Sequence, residues 1–303
     1  MADEYLTLTS DASLDIFPDS TIGQFRVKLP KTLYLDRSRH QIGLKYISFP
    51  HKTKNLEDGS FTVLIHKTDT NDLDWPKQFE TRVESGYYKN PNLLKHALNR
   101  AISKIPQLYK TEYAAVREAG INLNKDLNFQ YHSNVEKITL DHRTDTEEVN
   151  FNPEEFQFYV WLSDELLVKL GYFLPDQLAN PPPGGDRPIN IIRSTGDDVI
   201  DRHSRVPHTV DLSLGQTSIF VYSDVIENDR TLGSTLCSLL SIVPFEGGHG
   251  KQVHFEPKIV EYCRPRYNTV NEISIQLLND TGERYKFTSG KVYVTLHIKD
   301  KFT

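Results

Sequence analysis

The 303-residue sequence is poor in cysteine, tryptophan and methionine, and it has no long apolar run. Its two cysteines, Cys237 and Cys263, are too few for a disulfide framework or a thiolate metal site. Both lie in apolar, strand-like surroundings, so we predict two reduced packing residues. No apolar stretch approaches the roughly 20 residues that cross a bilayer. The first residues, MADEYLTLTSDAS, also lack the basic and apolar zones of a signal peptide. We therefore expect a soluble protein made inside a cell, without a membrane span.

An excess of basic charge is missing too. Lysine and arginine number 35 against 41 aspartates and glutamates, which gives a net charge of -6. A chain with this balance has no general electrostatic attraction to a phosphate backbone or an anionic membrane. We therefore expect no direct nucleic-acid partner.

Signals for catalysis or cofactor binding are weak. The stretch FEGGHGKQV places Gly250 beside Lys251, but Phe245 stands where a phosphate loop has its first glycine. Gln252 replaces the Ser or Thr that would hold magnesium, so a turn between strands is the better prediction. The 11 histidines form no HExxH pair, and no GxSxG elbow occurs. We predict no catalytic residue, no cofactor and no metal, and thus a protein that is not an enzyme.

The most regular pattern in the chain is the terminal stretch KVYVTLHIK. Its apolar residues fall on one face and its polar residues on the other, as in a half-buried strand. Such a strong last strand favours a Greek-key or jelly-roll sandwich, in which the chain end returns to the middle of a sheet between two neighbours. The apolar face comprises Val292, Val294, Leu296 and Ile298.

Further strand patterns occur near both ends of the chain. QFRVKLP, RHQIGLKYISFP and FTVLIHK follow one another, and we expect Pro30 and Pro50 to stop the first two. LNFQYHSNVEKITL has the pattern of a hairpin around HSN. After residue 215 the strand patterns resume in TSIFVYSDVI, CSLLSIVPF, KQVHFEP, IVEYCRP and VNEISIQLL.

Two segments have helical spacing. NPNLLKHALNRAISKIP predicts a helix over 91–105, with Asn90 as N-cap, Pro91 in the first turn and Pro106 as its end. In FQFYVWLSDELLVKLGYF a strand precedes a short helix that Ser163 caps and Gly171 closes.

About ten strands and two short helices, with turns at roughly 8 to 12 residues, are typical of an all-β sandwich. We predict an all-β, single jelly-roll β-sandwich of eight or more antiparallel strands, with one or two short helices. The whole chain, 1–303, is predicted to form one domain. A hairpin and helix elaboration would occupy about 86–150, and a long loop or small insertion about 174–215, where Pro and Gly are dense.

The order of several motifs resembles the minor capsid, or penton, proteins of Polinton/Maverick elements and adintoviruses. The likeness begins with YLTLTSDASLDIFPDSTIGQFRVKLPKTLYL and IGLKYISFP. It continues through GYYKNPNLLKHALNRAI, LSDELLVKLGYF, DLSLGQTSIFVYSDVIEN and EISIQLLNDTGERYKFTSGKVYVTLHIK. Together these motifs cover most of the chain.

The resemblance implies a structural subunit that forms homopentamers at the fivefold vertices of an icosahedral virion. Its partners would be other copies of itself and a double jelly-roll major capsid protein. A spike or host receptor could contact its loops. The chain would be made in the host cell and assembled in the nucleus or cytoplasm.

On this interpretation, subunit contacts fall where aromatic residues stand beside charge, because interfaces favour Tyr and Arg. YCRPRYN supplies four candidates, and GYY supplies two more that could instead pack beneath the predicted helix. The candidate subunit-interface residues are Tyr87, Tyr88, Tyr262, Arg264, Arg266 and Tyr267.

Two alternatives belong to other classes of protein. A monomeric β-sandwich that binds carbohydrate or another ligand in its loops would have one concave polar site and remain a single chain. A β-rich hydrolase would need a clustered acid and base with perturbed pKa values.

Overall fold

A computed structural model describes residues 3–67, 75–142, 155–172, 191–193, 208–213 and 217–301. The chain divides into two units, the first made of Met1–Lys54 and Ser213–Thr303 and the second of Asn55–Leu212. The second unit is therefore inserted in the chain between the two parts of the first. Each unit has a hydrophobic core of its own.

Seventeen strands and four helices occur in the described residues. In chain order they are β1 (Glu4–Thr9), β2 (Gln24–Tyr34), β3 (His40–Pro50), β4 (Gly59–Lys67), β5 (Lys77–Val83), α1 (Pro91–Leu108), α2 (Lys110–Glu118), α3 (Leu123–Asp126), β6 (Leu127–His132), β7 (Lys137–His142), β8 (Phe156–Leu162), α4 (Asp164–Lys169), β9 (Ile191–Arg193), β10 (Ser218–Ser223), β11 (Arg230–Leu232), β12 (Thr235–Cys237), β13 (Leu239–Pro244), β14 (Gln252–Phe255), β15 (Tyr262–Cys263), β16 (Thr269–Leu278) and β17 (Tyr293–Asp300).

The first unit is a jelly roll. One antiparallel sheet has the order β1-β17-β3-β14, with β15 also pairing with β3, and the other has the order β13-β10-β16-β2. These two sheet orders contain eight strands. When the eight are renumbered 1 to 8 in chain order, the first sheet has the order 1-8-3-6 and the second 5-4-7-2. This arrangement is the double Greek key of a jelly roll. The predicted all-β jelly-roll class is confirmed.

The last strand lies in the middle of its sheet, as its pattern predicts. β17 pairs with β1 on one side and with β3 on the other. Val294, Leu296 and Ile298 are buried in the core of the first unit. The chain can end on its most regular strand because both neighbours and the core specify its register.

Two proline predictions have different outcomes. Pro50 ends β3, as expected, but the prediction that Pro30 stops β2 is wrong, because this strand continues to Tyr34. β2 is an edge strand, so the missing N–H of Pro30 costs no ladder bond to a further strand. The pairing register with β16 also shifts beside it, between Val270 and Glu272.

The second unit combines a sheet of order β5-β4-β8-β9, the hairpin β6–β7 and the four helices. Helix α1 packs its buried face, which includes Leu98 and Ile102, into the core of this unit. Asn90 caps the helix as predicted, since its side chain accepts a hydrogen bond from the Leu93 amide at 3.0 Å. The prediction that Pro106 ends the helix is wrong. The helix runs to Leu108, and Pro106 loses only one intrahelical bond near its last turn.

The strand and helix around Ser163 are confirmed. β8 precedes α4, and the Ser163 hydroxyl accepts a hydrogen bond from the Leu166 amide. Gly171 follows the helix with φ +84°, a left-handed conformation that glycine adopts without a Cβ clash. The predicted hairpin is also present as β6 and β7.

Helices α2 and α3 occupy a polar stretch to which the sequence assigned no element. They bury only a few apolar side chains, among them Tyr113, Val116 and Leu123, so no sustained period is visible. The elaboration predicted at 86–150 falls inside the second unit. Of the segment 174–215, only 191–193 and 208–213 are among the described residues. The single-domain description of 1–303 stays a prediction.

Both cysteines carry free thiols, as expected. Cys263 is buried, and the Arg230 Nε donates to its sulfur at 3.2 Å. Cys237 is only partly buried. The predicted packing role therefore fits Cys263 better than Cys237.

Candidate subunit-contact surfaces

Tyr262 belongs to an aromatic cluster on the outer face of the β1-β17-β3-β14 sheet. Its hydroxyl lies 2.9 Å from Nδ1 of His297, and the Lys299 ammonium lies 3.8 Å from its ring centroid. Tyr5 stacks on the His297 ring, with 4.6 Å between ring centroids and 6° between planes. His297 is therefore only 7% exposed although it points away from the core. Burial raises the pKa of Tyr262.

Gly43 allows this cluster to form. On β3 it lies opposite both His297 and Tyr262. A Cβ at Gly43 would meet Cγ1 of Val260 at 2.5 Å and the Glu261 carbonyl oxygen at 2.8 Å. The missing side chain thus lets the segment that carries Tyr262 lie directly against β3.

Arg264, Arg266 and Tyr267 follow β15 and are exposed. Backbone hydrogen bonds hold their segment, from the Glu227 amide to the Arg264 carbonyl and from the Arg266 amide to the Val225 carbonyl. The Arg266 guanidinium lies 5.4 Å from the Tyr267 ring centroid. These three side chains are available at the surface, whereas Tyr262 is largely occupied within its own unit. Their interface role stays a prediction.

Tyr87 and Tyr88 lie in the second unit and are half-buried. Tyr88 packs against the core of this unit, and its hydroxyl donates to the Glu84 carbonyl at 2.6 Å. The Asn55 side chain bridges the backbone of Tyr88, donating to its carbonyl and accepting from its amide. Tyr88 therefore has the packing role named as its alternative, and an interface role for either tyrosine stays a prediction.

A first apolar surface that sequence reasoning missed lies at one edge of the jelly roll. We name it the β13 edge surface, because β13 is the last strand of its sheet. Arg230, the first residue of β11, forms an ion pair with Glu261 at 2.5 Å. This contact holds the β11–β12 hairpin against the segment before β15. The surface is defined by four exposed apolar side chains, Leu232 (38% exposed), Leu236 (61%), Ile242 (46%) and Ile259 (81%).

A cleft of about 440 Å³ opens at this edge. It lies between β13, which contributes Ile242, and the end of the other sheet, which contributes Phe255. Ile259 stands at its wall beside Lys258 and Glu261. The cleft gives the β13 edge surface a concave part with an apolar lining and a charged rim, which is the usual anatomy of a protein contact.

A second apolar surface, the β2 edge surface, lies at the opposite edge of the same sheet. It consists of Leu14 (44% exposed), Ile16 (52%) and Tyr34 (73%). The turn that carries Leu14 and Ile16 is held against β2, because the Lys28 amide donates to the Ser13 hydroxyl at 3.1 Å. β10 and β16 lie between the two edge strands, so three strand spacings, roughly 14 Å, separate the edges.

The two edge surfaces consist of different residues and lie at opposite edges of one sheet, and the β13 edge has a cleft. A twofold contact between two copies of one patch would leave the other patch exposed. A head-to-tail contact between unlike patches of neighbouring chains would bury both, and it gives a ring if the rotation closes and a filament if it does not. Sequence reasoning missed both surfaces because an apolar residue next to a strand pattern reads as core. Only the fold shows that these side chains are exposed.

Metal binding and phosphate binding have little support in the part of the chain that the structure describes. No group of three or more His, Cys, Asp or Glu side chains there could hold a metal ion. The predicted turn FEGGHGKQV is present between β13 and β14, with Gly247 and Gly250 at positive φ. Within the described residues, no helix has the length and apolarity needed to span a membrane.

The fold and the two edge surfaces define a jelly-roll protein with exposed lateral faces. Among solved structures, the chain aligns with the crystal structure of selenomethionine-labelled mavirus penton protein at a TM-score of 0.47 and 9% sequence identity. The alignment covers 99% of this chain and 100% of that chain. No protein-family model and no curated protein matches the sequence.

Proposed function

We propose that the protein is a non-enzymatic capsid subunit, a penton that forms homopentameric rings at the fivefold vertices of an icosahedral virion. The observation that carries the proposal is the pair of different apolar surfaces on opposite edges of the jelly roll. Ring closure requires two unlike patches on each subunit, and this unit offers them. The order of motifs described in the sequence supports the same function.

The β13 edge surface of one chain would contact the β2 edge surface of the next. Ile259 and Tyr34 are the most exposed members of the two surfaces, so they gain most from burial. Tyr34 offers a large ring with two rotatable bonds, the kind of side chain that concentrates binding energy. Arg264, Arg266 and Tyr267 lie outside both edge surfaces as defined and would add polar contacts at a rim.

The remaining partners follow from the capsid function. A penton must contact the major capsid protein around it, which the family resemblance implies to be a double jelly-roll protein. A spike or host receptor would bind loops that point away from these contacts. The protein would be found in the virion after assembly in the host nucleus or cytoplasm.

Light scattering of the purified chain over a wide range of protein and salt concentrations tests the proposal. Five 34.9-kDa chains would give a mass of about 175 kDa. We expect that mass, or a rise toward it with protein concentration, and little weakening by salt because the contacts are mainly apolar. A constant mass of 34.9 kDa under all conditions would contradict self-assembly and favour the monomeric binding module.

A further inference from the structure

An open groove of about 910 Å³ lies on the second unit, and none of its lining residues belongs to either edge surface. Its floor is the outer face of the β5-β4-β8 part of the sheet, and the end of α1 forms one side. Trp161 lies in this groove and is 48% exposed. A half-exposed tryptophan on a sheet face is unusual, because this residue is highly buried on average.

The groove is polar around that ring. Thr62 is paired with Trp161 on one side and with Glu80 on the other, so the three side chains form a row across three strands. The next row holds Ser60 and Arg82. Trp161 and Glu80 are therefore separated by two strand spacings, roughly 10 Å, which leaves room for a ring-sized group between them.

Two charged side chains of the groove have no partner of their own. Glu80 and Arg82 are exposed, and among the described residues neither side chain forms an ion pair or a hydrogen bond. Lys104 and Glu84 lie 3.6 Å apart at the side of the groove. The groove thus contains two acidic and two basic side chains, so its net charge is zero, and it favours an uncharged ligand that carries many hydroxyl groups.

The β5 edge beside this groove is poorly suited to bind a peptide as an added strand. β5 is the edge of its sheet, but the Tyr109 hydroxyl already donates to the Glu80 carbonyl at 2.9 Å. On the same strand, the Thr81 hydroxyl donates to the Ala101 carbonyl of α1 at 3.1 Å. One edge carbonyl is therefore already occupied, and β5 is tied to α1 and to the residue that follows it, which leaves less of the edge for a peptide strand. The remaining open surface is the sheet face with Trp161.

We propose that this groove binds an uncharged pyranose glycan. The apolar C–H face of a sugar ring would lie on the Trp161 indole, which offers a large flat apolar surface. The hydroxyls at the ring edge would bond to Glu80 and Arg82, since bonds to charged groups are stronger than neutral ones. A groove with a single aromatic platform would bind with a dissociation constant of roughly 1 mM. All residues of this groove belong to the second unit, whereas both edge surfaces belong to the first.

The first test uses the full chain with maltotriose, cellotriose, N,N′,N″-triacetylchitotriose and lactose, and with sialyllactose as a charged comparator. Binding is measured by ligand-observed NMR at sugar concentrations up to roughly 10 mM, tenfold above the expected dissociation constant. Trp75 and Trp161 are the only tryptophans. In a W75F background, the fluorescence of Trp161 therefore reports directly on this groove, and a bound sugar should protect it from acrylamide quenching.

Matched variants then assign the binding to the groove. W161A should weaken sugar binding at least about tenfold, and W161F should retain most of it, because the flat ring is kept. R82Q should weaken it about tenfold through the lost charged bond. L93A is the control, because Leu93 is 47% exposed on α1 and does not line the groove. The melting temperature of each variant is measured, and a loss of binding counts only where this temperature is unchanged. If W161A lowers the melting temperature, the test uses R82Q instead.

Binding of at least one neutral sugar that W161A and R82Q weaken, and that L93A and W161F leave in place, would support the proposal. Three results would overturn it. These are no binding of any neutral sugar, binding that survives both W161A and R82Q, or binding of sialyllactose alone. Loss of sugar binding would leave the oligomer mass unchanged, so failure of this proposal is distinguishable from failure of the ring.

Discussion

Replacing Ile259 with aspartate should prevent ring formation without unfolding the chain. Ile259 is 81% exposed, so its side chain contributes little to the core and nearly all of its apolar surface is free to be buried in a contact. Burial of an isoleucine contributes roughly 2 kcal/mol, which is a factor of about 30 in each subunit contact. The aspartate also places a charge in an apolar cleft, which adds a desolvation penalty.

Sedimentation velocity over a concentration series measures the effect. For I259D we expect the midpoint of assembly to move to at least about 30-fold higher concentration, with an unchanged melting temperature. L93D is the control, because Leu93 is also an exposed apolar residue (47%) but lies on α1, outside both edge surfaces. If I259D assembles like the wild type, or if L93D is equally impaired, the β13 edge surface is not the subunit contact.

Three further predictions concern stability. Burial lowers the pKa of Lys169. Below this lowered pKa, the buried ammonium destabilises the folded state. The penalty shrinks as the pH rises and disappears at about 10.4, the pKa of lysine in the unfolded chain. K169M should therefore be more stable at neutral pH by roughly 1 kcal/mol, with a difference that shrinks in alkaline buffer. L296A removes a fully buried side chain of the central strand and should cost about 2–5 kcal/mol. N90A removes the cap of α1 and should cost about 1 kcal/mol.

Chemical denaturation at several pH values measures all three. A constant difference between K169M and wild type from pH 7 to 10 would contradict burial of the charge. A loss below about 1 kcal/mol for L296A would mean that Leu296 is not tightly packed in the core of the first unit. N90D serves as the comparison for N90A, because aspartate caps a helix about as well as asparagine.

Local patterns predicted much of the fold. The alternation in KVYVTLHIK gave the buried face of β17, and the cap and spacing of NPNLLKHALNRAI gave the start and inner face of α1. Ser163 and Gly171 marked both ends of α4. In each case the signal lies within a few residues and reflects a local physical cause, so one sequence is enough.

Other features depend on contacts between distant parts of the chain. β1 pairs with β17, and no local pattern specifies that partner. The continuation of β2 past Pro30 depends on its edge position, which is a property of the sheet rather than of the segment. Helices α2 and α3 were missed because their few apolar residues become significant only against the core of the second unit.

The candidate contact surfaces were the least predictable. Tyr262 combines aromatic and charged neighbours in sequence, but in the fold it is occupied by His297 and Lys299. Ile259 and Leu236 were not selected, since an apolar residue next to a strand pattern is interpreted as a core residue. Exposure depends on which strand is at an edge, and that follows from topology alone.

Chemical crosslinking of mixed variants, each with one introduced surface cysteine in addition to the buried Cys263, tests the head-to-tail ring most directly. I259C and Y34C are prepared separately in a C237S background, because Cys237 is only partly buried. A bismaleimide reagent is added to each protein alone, to their mixture and to the I259C/Y34C double variant. We predict crosslinked dimers in the mixture but not in either single variant, and a ladder ending at five chains in the double variant. Dimers in a single variant, or no crosslinks in the mixture, would contradict the head-to-tail ring.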